Sequence, residues 1–574
     1  MTGGGETVKH YTGRAGRFVV GWSVAAACAV LGIAPASMVG AAAVNSVGTP
    51  LPADAAAPSA QVLTLLGREG TFIDWSKTVQ KSQWHPGLMT DALVMQDLNS
   101  EIKPLAAERW SVSSDGRTWT FVLRPGLQWS DGTPLTAADF EYTMKRMANP
   151  QTGFDVAWYL GAVKNFTAAN EGKAPLDQIG VTAVNPTTLQ ITTAEPTPYL
   201  PLLISDLYVV PRHIVSSAGD SWSTNPATAV SAGPFKLASW ERDKELVYVV
   251  NPMYRGIRKP YLERIVYKIG RDEALFPAYL AGEIDAIPWI YEGSLSPSDI
   301  ARVNADPKLQ REGHTWPYYQ TWWVAFGGDQ TAFKDPRVRR AFAQAIDRDA
   351  IIKSVWRGMA APAYGMLPPG FHCADPGRLK GAMPYNPEQA RRFLAEAGYP
   401  GGKGFPKYDL YLRAASPTVQ TAGEAIQAMI KQNLGIDLGV QNLERKLFMD
   451  RLNKYDLPIV LIPWEYDYYD ASNFMNIYKT GGRHPWTNAD YDKLVGEANS
   501  SMNDAQRCAT YRKAEDVLAR DPGAVFLWHP TVIQLWKPYV KGEILQRNRF
   551  GIVGWQRPSK ADMLPYIYMG KDKP

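Results

Sequence analysis

Apolar positions along the chain fall in short bursts, and their spacing alternates between the period of a strand and that of a helix. VLTLL, just after Gln61, reads as a short buried strand and marks where ordered structure begins. In TWTFVL (118–123), Trp119, Phe121 and Leu123 alternate with smaller or polar neighbours, as a strand with one buried face requires, and Asp131-Gly132 supplies a turn further on. A helix is predicted from Thr136, with Asp139 at the third position to complete a capping box. Asp335-Pro336 opens a second helix that stripes Val338, Ala341, Phe342, Ala345 and Ile346 along one face. Asn386-Pro387 opens a third, with Ala390, Phe393, Leu394 and Ala397 inward and Gly398 as its stop. No period of about 20–50 residues recurs, so a solenoid or propeller is unsupported. The pattern predicts a mixed α/β fold with short helices between strands.

One stretch breaks the pattern. IVLIPWEYDYYDASNF (459–474) begins as a buried strand and ends in aromatics interleaved with acids. While the chain stays extended, Trp464, Tyr466 and Tyr468 share one face and Glu465 and Asp467 the other.

Length and composition narrow the class. A chain of 574 residues exceeds one core, so two or three packed units are expected. Hydrophobic residues at 45% and charged residues at 20% are ordinary globular values. The 19 Trp and 28 Tyr are many; most are expected in the core, although such side chains also suit the walls of a binding site.

The N-terminus sets the compartment. Lys9, Arg14 and Arg17 precede an apolar stretch from Phe18 to Ala34, and Ala41, Ala42 and Ala43 offer a small-residue cleavage site, so residues 1–43 read as a secretory signal. An uncleaved anchor is the alternative, weakened by the Gly, Ala and Ser content and by Pro35. Lipidation at Cys28 is a further alternative, disfavoured because Ala25, Ala26 and Ala27 lack the large aliphatic residue such a motif carries. Residues 44–58 form a linker of Ala, Pro and small polar residues. Loss of Lys9, Arg14, Arg17 and Glu6 takes the net charge from +5 to +3, which gives no basis for a nucleic-acid partner. Cys373 and Cys508 remain, and whether they pair is open in the sequence.

Signatures of catalysis and of metal binding are missing. There is no His-Glu-x-x-His, Cys-x-x-Cys or Gly-x-Ser-x-Gly, and GYPGGKGF (398–405) lacks the Ser or Thr of a phosphate loop. The seven His residues are scattered, and no cofactor or metal site is predicted.

A succession of segments does point somewhere. PLAAERW (104–110), SSDGRTWTFVLRPGLQWSDGTPLTAADF (113–140), SAGPFKL (231–237), NPMY (251–254), AGEID (281–285), AFKDPRVRRAFAQAIDR (332–348), GMLPPG (365–370) and YNPEQARRFLAEAGYP (385–400) occur in one order. In that order they resemble the oligopeptide/dipeptide class of solute-binding proteins, the receptors that feed ABC importers. The individual residues in them read mainly as turns and packing.

The resemblance implies a two-lobed periplasmic-binding-protein fold with an extra subdomain in the first lobe. The first lobe would comprise 44–93, 190–316 and 530–574, the inserted subdomain 94–189 and the second lobe 317–529. Two crossings would join the lobes, near Trp316–Gln320 and near Trp528–Thr531, and allow closure by rotation at few residues. Trp464, Asp467 and Tyr468 match the family's Trp-x-x-Asp-Tyr pattern, in which the acid pairs with a peptide's α-ammonium and the Trp packs on a side chain. Glu465 and Tyr466 lie inside the same stretch, and an extra acid there favours a cationic ligand. Tyr318 and Trp323, in PYYQTWWVAFGG (317–328), are candidates for lining the cleft, and Asp91 is a candidate contact on the first lobe. Ala325 and Gly327 depart from the Glu and Asn that oligopeptide-binding members tend to carry, which puts a long peptide in doubt.

The expectation is therefore a non-enzymatic, monomeric, periplasmic receptor that delivers a peptide or similar amine-bearing solute to an inner-membrane ABC permease. The alternatives are the same receptor for an oligosaccharide, opine or metal chelate, and an exported hydrolase.

Overall fold

The computed structural model describes residues 43–78, 86–288, 295–327, 331–413, 415–549, 551–552 and 564–574. Residues 1–42 of the signal-like segment, Cys28 among them, lie outside them, whereas residues 44–58, expected as a linker, are ordered, with Asn45, Thr49, Leu51 and Ala55 buried. Among the described residues no helix is long and apolar enough to cross a membrane.

Three large sheets, beside two two-stranded ones, organise the described residues. In the first, Val62–Gly67 runs parallel to Arg264–Ile269, which pairs antiparallel with Glu245–Val250 and through it with Phe235–Glu241. The second is wholly antiparallel, in the order Ala107–Val112, Thr118–Leu123, Thr188–Thr192, Val181–Asn185. Its Thr118–Leu123 strand buries Trp119, Phe121 and Leu123, the alternation visible in the sequence.

The third sheet is built around the long strand Ala524–Trp536. One half of that strand pairs with Gly313–Pro317 and the other with Gln320–Phe326, the register shifting between Trp322 and Trp323. Ile459–Glu465 adds antiparallel to Gln320–Phe326, and Tyr408–Arg413 and Leu438–Leu443 then add in parallel. The segments expected to join the lobes therefore run side by side: Pro317 is paired with Thr531 and Trp322 with Trp528. Trp316, Trp323 and Trp528 are fully buried here, as Trp129 and Trp222 are elsewhere, so the largest aromatics mostly build core.

The helices start where short-range chemistry places them. Asp139 accepts the Thr136 amide at 2.8 Å, Asp335 accepts the Arg337 amide at 2.8 Å, and Asn386 accepts the Gln389 amide at 3.0 Å. Gly398 leaves its helix at a φ of +95°, a conformation that favours glycine. Arg339 of the second helix is buried, donating to the Phe333 and Pro522 carbonyls and to the Asp521 carboxylate. Cys373 and Cys508 are joined in a disulfide with Cα atoms 4.7 Å apart, which closes the question the sequence left open.

Several titratable groups are held out of water. Desolvation lowers His314 and His529 to about 4 and His484 to about 3, and raises Glu515 to about 7. Each histidine binds its proton more weakly folded than unfolded, so its contribution is present above pH about 6.5 and is lost as pH falls. Glu515 acts in the opposite sense, favouring the folded state as pH falls from about 7 towards the unfolded value near 4.5. Three histidines oppose one carboxyl. The thermal midpoint is expected to fall between pH 6.5 and 4.5, and Glu515→Gln is expected to steepen that fall; a flat or rising profile in calorimetric scans would contradict the assignment.

Candidate ligand-binding site

The strand Ile459–Glu465 ends at its pairing with Gln320, after four deeply buried residues, Ile459 to Ile462. Beyond it the chain turns, and side chains join a few backbone bonds, such as Tyr466 N–H to the Tyr319 carbonyl at 3.2 Å and Asn473 N–H to the Asp470 carbonyl at 2.9 Å, in holding the turn. Asn473 is central. Its Oδ1 accepts the Trp464 indole N–H at 2.9 Å and the Asp467 amide at 3.2 Å, while its Nδ2 donates to Asp467 Oδ2 at 2.9 Å. One amide thus fixes both the aromatic ring and the carboxylate of the Trp-x-x-Asp pattern.

Asp470 anchors the turn from behind. It accepts the Ser472 amide at 2.9 Å and hydroxyl at 2.6 Å, and takes two N–H groups of Arg507 at 2.8 and 2.7 Å. Both members of the pair are buried. Burial alone would raise the Asp470 carboxyl, yet Arg507, with help from His372 and Ser472, holds it below the usual carboxylate range. His372 accepts the Ala471 amide at 3.2 Å and places its other ring nitrogen 2.8 Å from Asp504. The Cys373–Cys508 disulfide joins the residues next to His372 and Arg507, so the scaffold behind the turn is covalently closed.

Aromatic rings from the N-terminal half meet the turn. Trp158 lies 5.7 Å from Trp464, Tyr159 meets Tyr468 edge-on at 5.8 Å, and Tyr199 stacks on Tyr468 at 5.9 Å with planes 4° apart. Trp158 is half exposed and Tyr468 buried. On the far side, the Tyr318 hydroxyl donates to the Glu465 carboxylate, and the Tyr319 and Tyr469 hydroxyls both donate to the Gly370 carbonyl, at 3.0 and 2.8 Å.

The structure therefore brings together Trp464, Glu465, Asp467, Tyr468 and Tyr318. It corrects three expectations. Alternation stops at Glu465, so Tyr466 does not share a face with Tyr468: Tyr466 packs on Tyr319 and Phe371 at 5.4 and 5.6 Å. Trp323 is interior, its indole N–H directed at the fully buried His484 at 3.3 Å. Asp91 is buried against Arg258, whose Nε donates at 3.0 Å, and accepts the Tyr254 hydroxyl at 2.8 Å. Ala325 is buried in its strand, and a Cβ on Gly327 would meet the Pro458 Cα at 2.8 Å, so packing accounts for the small residues at both positions. Sequence reasoning missed Arg507, His372, Trp158, Tyr159 and Tyr199, whose partners are distant in the chain, and Asn473, which closes a turn of only six to nine residues within the quoted stretch.

A two-lobed receptor for a small solute is the class that this fold and site define. The model of the bacterial extracellular solute-binding proteins, family 5, matches residues 101–485, and the chain belongs to that family. It is 31% identical over 463 residues to the periplasmic oligopeptide-binding protein OppA of Salmonella typhimurium, covering 79% of this chain and 83% of that one. It is 30% identical over 472 residues to the probable deoxycholate-binding periplasmic protein YgiS of Escherichia coli, covering 79% and 84%. Among solved structures, the murein tripeptide-binding protein MppA of Escherichia coli superposes with a TM-score of 0.71 at 28% identity, covering 89% and 98%. These likenesses carry the fold expected from the sequence, α/β with two lobes.

Because Asp470 and Arg507 are both buried, removing one charge leaves the other uncompensated. Arg507→Met is expected to lower stability by about 3–5 kcal/mol in urea titrations; a loss of under about 1 kcal/mol would show that the pair does not hold the turn.

Proposed function

We propose that the protein is the substrate-binding receptor of an ABC importer, capturing a peptide or related amine-bearing solute between its lobes. The observation that carries this reading is the Asn473 clamp, which presents the Asp467 carboxylate and the Trp464 ring together beside Trp158. A carboxylate in a poorly hydrated site attracts an ammonium more strongly than one in water, and aromatic faces add cation attraction and apolar area. OppA, whose name records oligopeptide binding, and MppA, whose title records a murein tripeptide, support a peptide ligand.

The lobe boundaries proposed are 44–93, 190–316 and 530–574 for the first lobe, 94–189 for its inserted subdomain and 317–529 for the second. On them, Trp158, Tyr159 and Tyr199 belong to the first side and Trp464 and Tyr468 to the second. Contacts between these rings then cross the cleft, and closure follows from a ligand's better contacts with the shut form. Tyr318 and Glu465 sit at the crossing and are assigned to the cleft wall. The receptor is read as a non-enzymatic, periplasmic monomer exported by its N-terminal segment, serving an inner-membrane permease. The family is one of binding proteins, which supports a role without catalysis.

A second reading, the same receptor for a non-peptide solute, is favoured by the concentration of aromatic rings at the site and by the name of YgiS. Calorimetry with Ala-Ala-Ala and N-acetyl-Ala-Ala-Ala separates the two. N-acetylation is expected to weaken binding by at least about tenfold, the scale of one charged hydrogen bond, and Asp467→Asn to weaken the free peptide similarly. Equal binding of both peptides would remove Asp467 as the amine partner, and binding of neither would overturn the peptide reading.

A further inference from the structure

Tyr199 is fixed at its base by one part of the chain and buried at its tip by another. It stands in PTPYLP (196–201), where each proline restricts the backbone. Thr197 is buried; its amide donates to the Gly116 carbonyl at 3.3 Å and its hydroxyl to the Glu195 carbonyl at 2.8 Å. The short helix Leu200–Ile204 follows, anchored by the buried Leu200, Leu203 and Ile204.

From that base the ring enters a socket built more than 250 positions downstream, where it is only 8% exposed. The Tyr468 ring lies parallel to it at 5.9 Å, and the Arg507 guanidinium stands 5.6 Å from its centre and 5.7 Å from that of Tyr511, so two rings share one cation. Asn476, whose Oδ1 accepts the Asn499 side-chain amide at 2.8 Å, reaches the Tyr199 hydroxyl. Burial and the Asp470 carboxylate raise the phenol, so the ring enters the socket neutral.

A second contact lies beside the first. A Cβ on Gly116 would stand 3.1 Å from the Pro196 Cβ and 3.2 Å from the Met502 sulfur. Met502, half exposed between the helices Ala489–Ser500 and Asp504–Arg520, therefore lies against the turn that carries Gly116. On the lobe boundaries proposed above, both contacts join the first lobe to the second, and both are made by protein groups alone. Such contacts favour the shut form whether or not the site is filled, and a ligand then has to supply only the remainder of the shift.

We propose that Tyr199 is a closure latch, a positioning residue that acts through its socket: it keeps part of the ligand-free population shut and so scales the affinity for every ligand by one factor. This rests on the two-lobe reading above and adds what sets the resting state of the site. Met502 on Gly116 is the weaker, solvent-accessible half of the same latch.

Small-angle X-ray scattering of ligand-free protein tests the proposal without any choice of ligand. The radius of gyration of Tyr199→Ala is expected to exceed that of the wild type, and the two are expected to coincide once Ala-Ala-Ala is bound. In calorimetry, Ala-Ala-Ala and Ala-Glu-Ala are expected to weaken together by about tenfold, with the ratio between them unchanged. Tyr199→Phe, which keeps the ring, is expected to behave as the wild type. Met502→Ser, at a half-exposed position, is expected to open the ligand-free protein in the same direction as Tyr199→Ala. Equal radii for ligand-free wild type and Tyr199→Ala would overturn the latch. So would an expansion that persists with peptide bound, which reads lost packing, or weakening of one peptide alone, which reads a ligand contact. If neither peptide binds, the peptide reading falls, and the ligand-free radii of the two variants still decide the latch.

Discussion

The buried pair of Asp470 and Arg507 is the constraint on which the proposed recognition site depends. A strand that runs out of a sheet interior must reverse within a few residues, and here a single backbone bond to its neighbour, from the Tyr466 amide to the Tyr319 carbonyl at 3.2 Å, follows the last paired residue, Glu465. The reversal is held by a carboxylate that takes both the Ser472 groups and two N–H donors from a helix in the last quarter of the chain. With that corner fixed, Asn473 stands where one side-chain amide can reach Trp464 and Asp467 together. Without it, the ring and the acid would each sample their own rotamers, and a ligand would have to order both on binding.

The disulfide belongs to the same device. Cys373 and Cys508 lie 135 residues apart, and their link closes a large loop around the region of His372, Asp470 and Arg507. A cross-link over such a span restrains the unfolded chain and limits local opening behind the turn. The side proposed to face the ligand is different in kind. Trp158 is half exposed and touches Trp464 through ring contacts alone, so that junction can separate while the corner behind it stays intact.

The sequence was most informative where chemistry is local. The capped helices at Thr136, Asp335 and Asn386 and the alternating strand around Trp119 needed only neighbours within four residues, and the structure keeps them. The Trp-x-x-Asp segment was visible as an anomaly in the apolar pattern. Its geometry was not, because alternation holds only while a strand has a partner, and Tyr466 and Tyr468 lie beyond the last pair. Asp91 stood as a candidate ligand contact because its partner, Arg258, is 167 residues away. Trp323 looked like a cleft residue because a hinge segment and a buried strand share one composition; its burial is decided by Tyr478, His484 and Phe526, each more than 150 positions downstream.

The central claim is that two lobes close on a ligand gripped from the second by Asp467 and Trp464. Small-angle X-ray scattering with and without saturating Ala-Ala-Ala tests it most directly, since closure compacts the whole particle. The account requires the radius of gyration to fall on addition of the peptide, and Asp467→Asn to need more peptide for the same fall. Scattering curves that superpose with and without peptide, at concentrations where calorimetry shows the site filled, would contradict it.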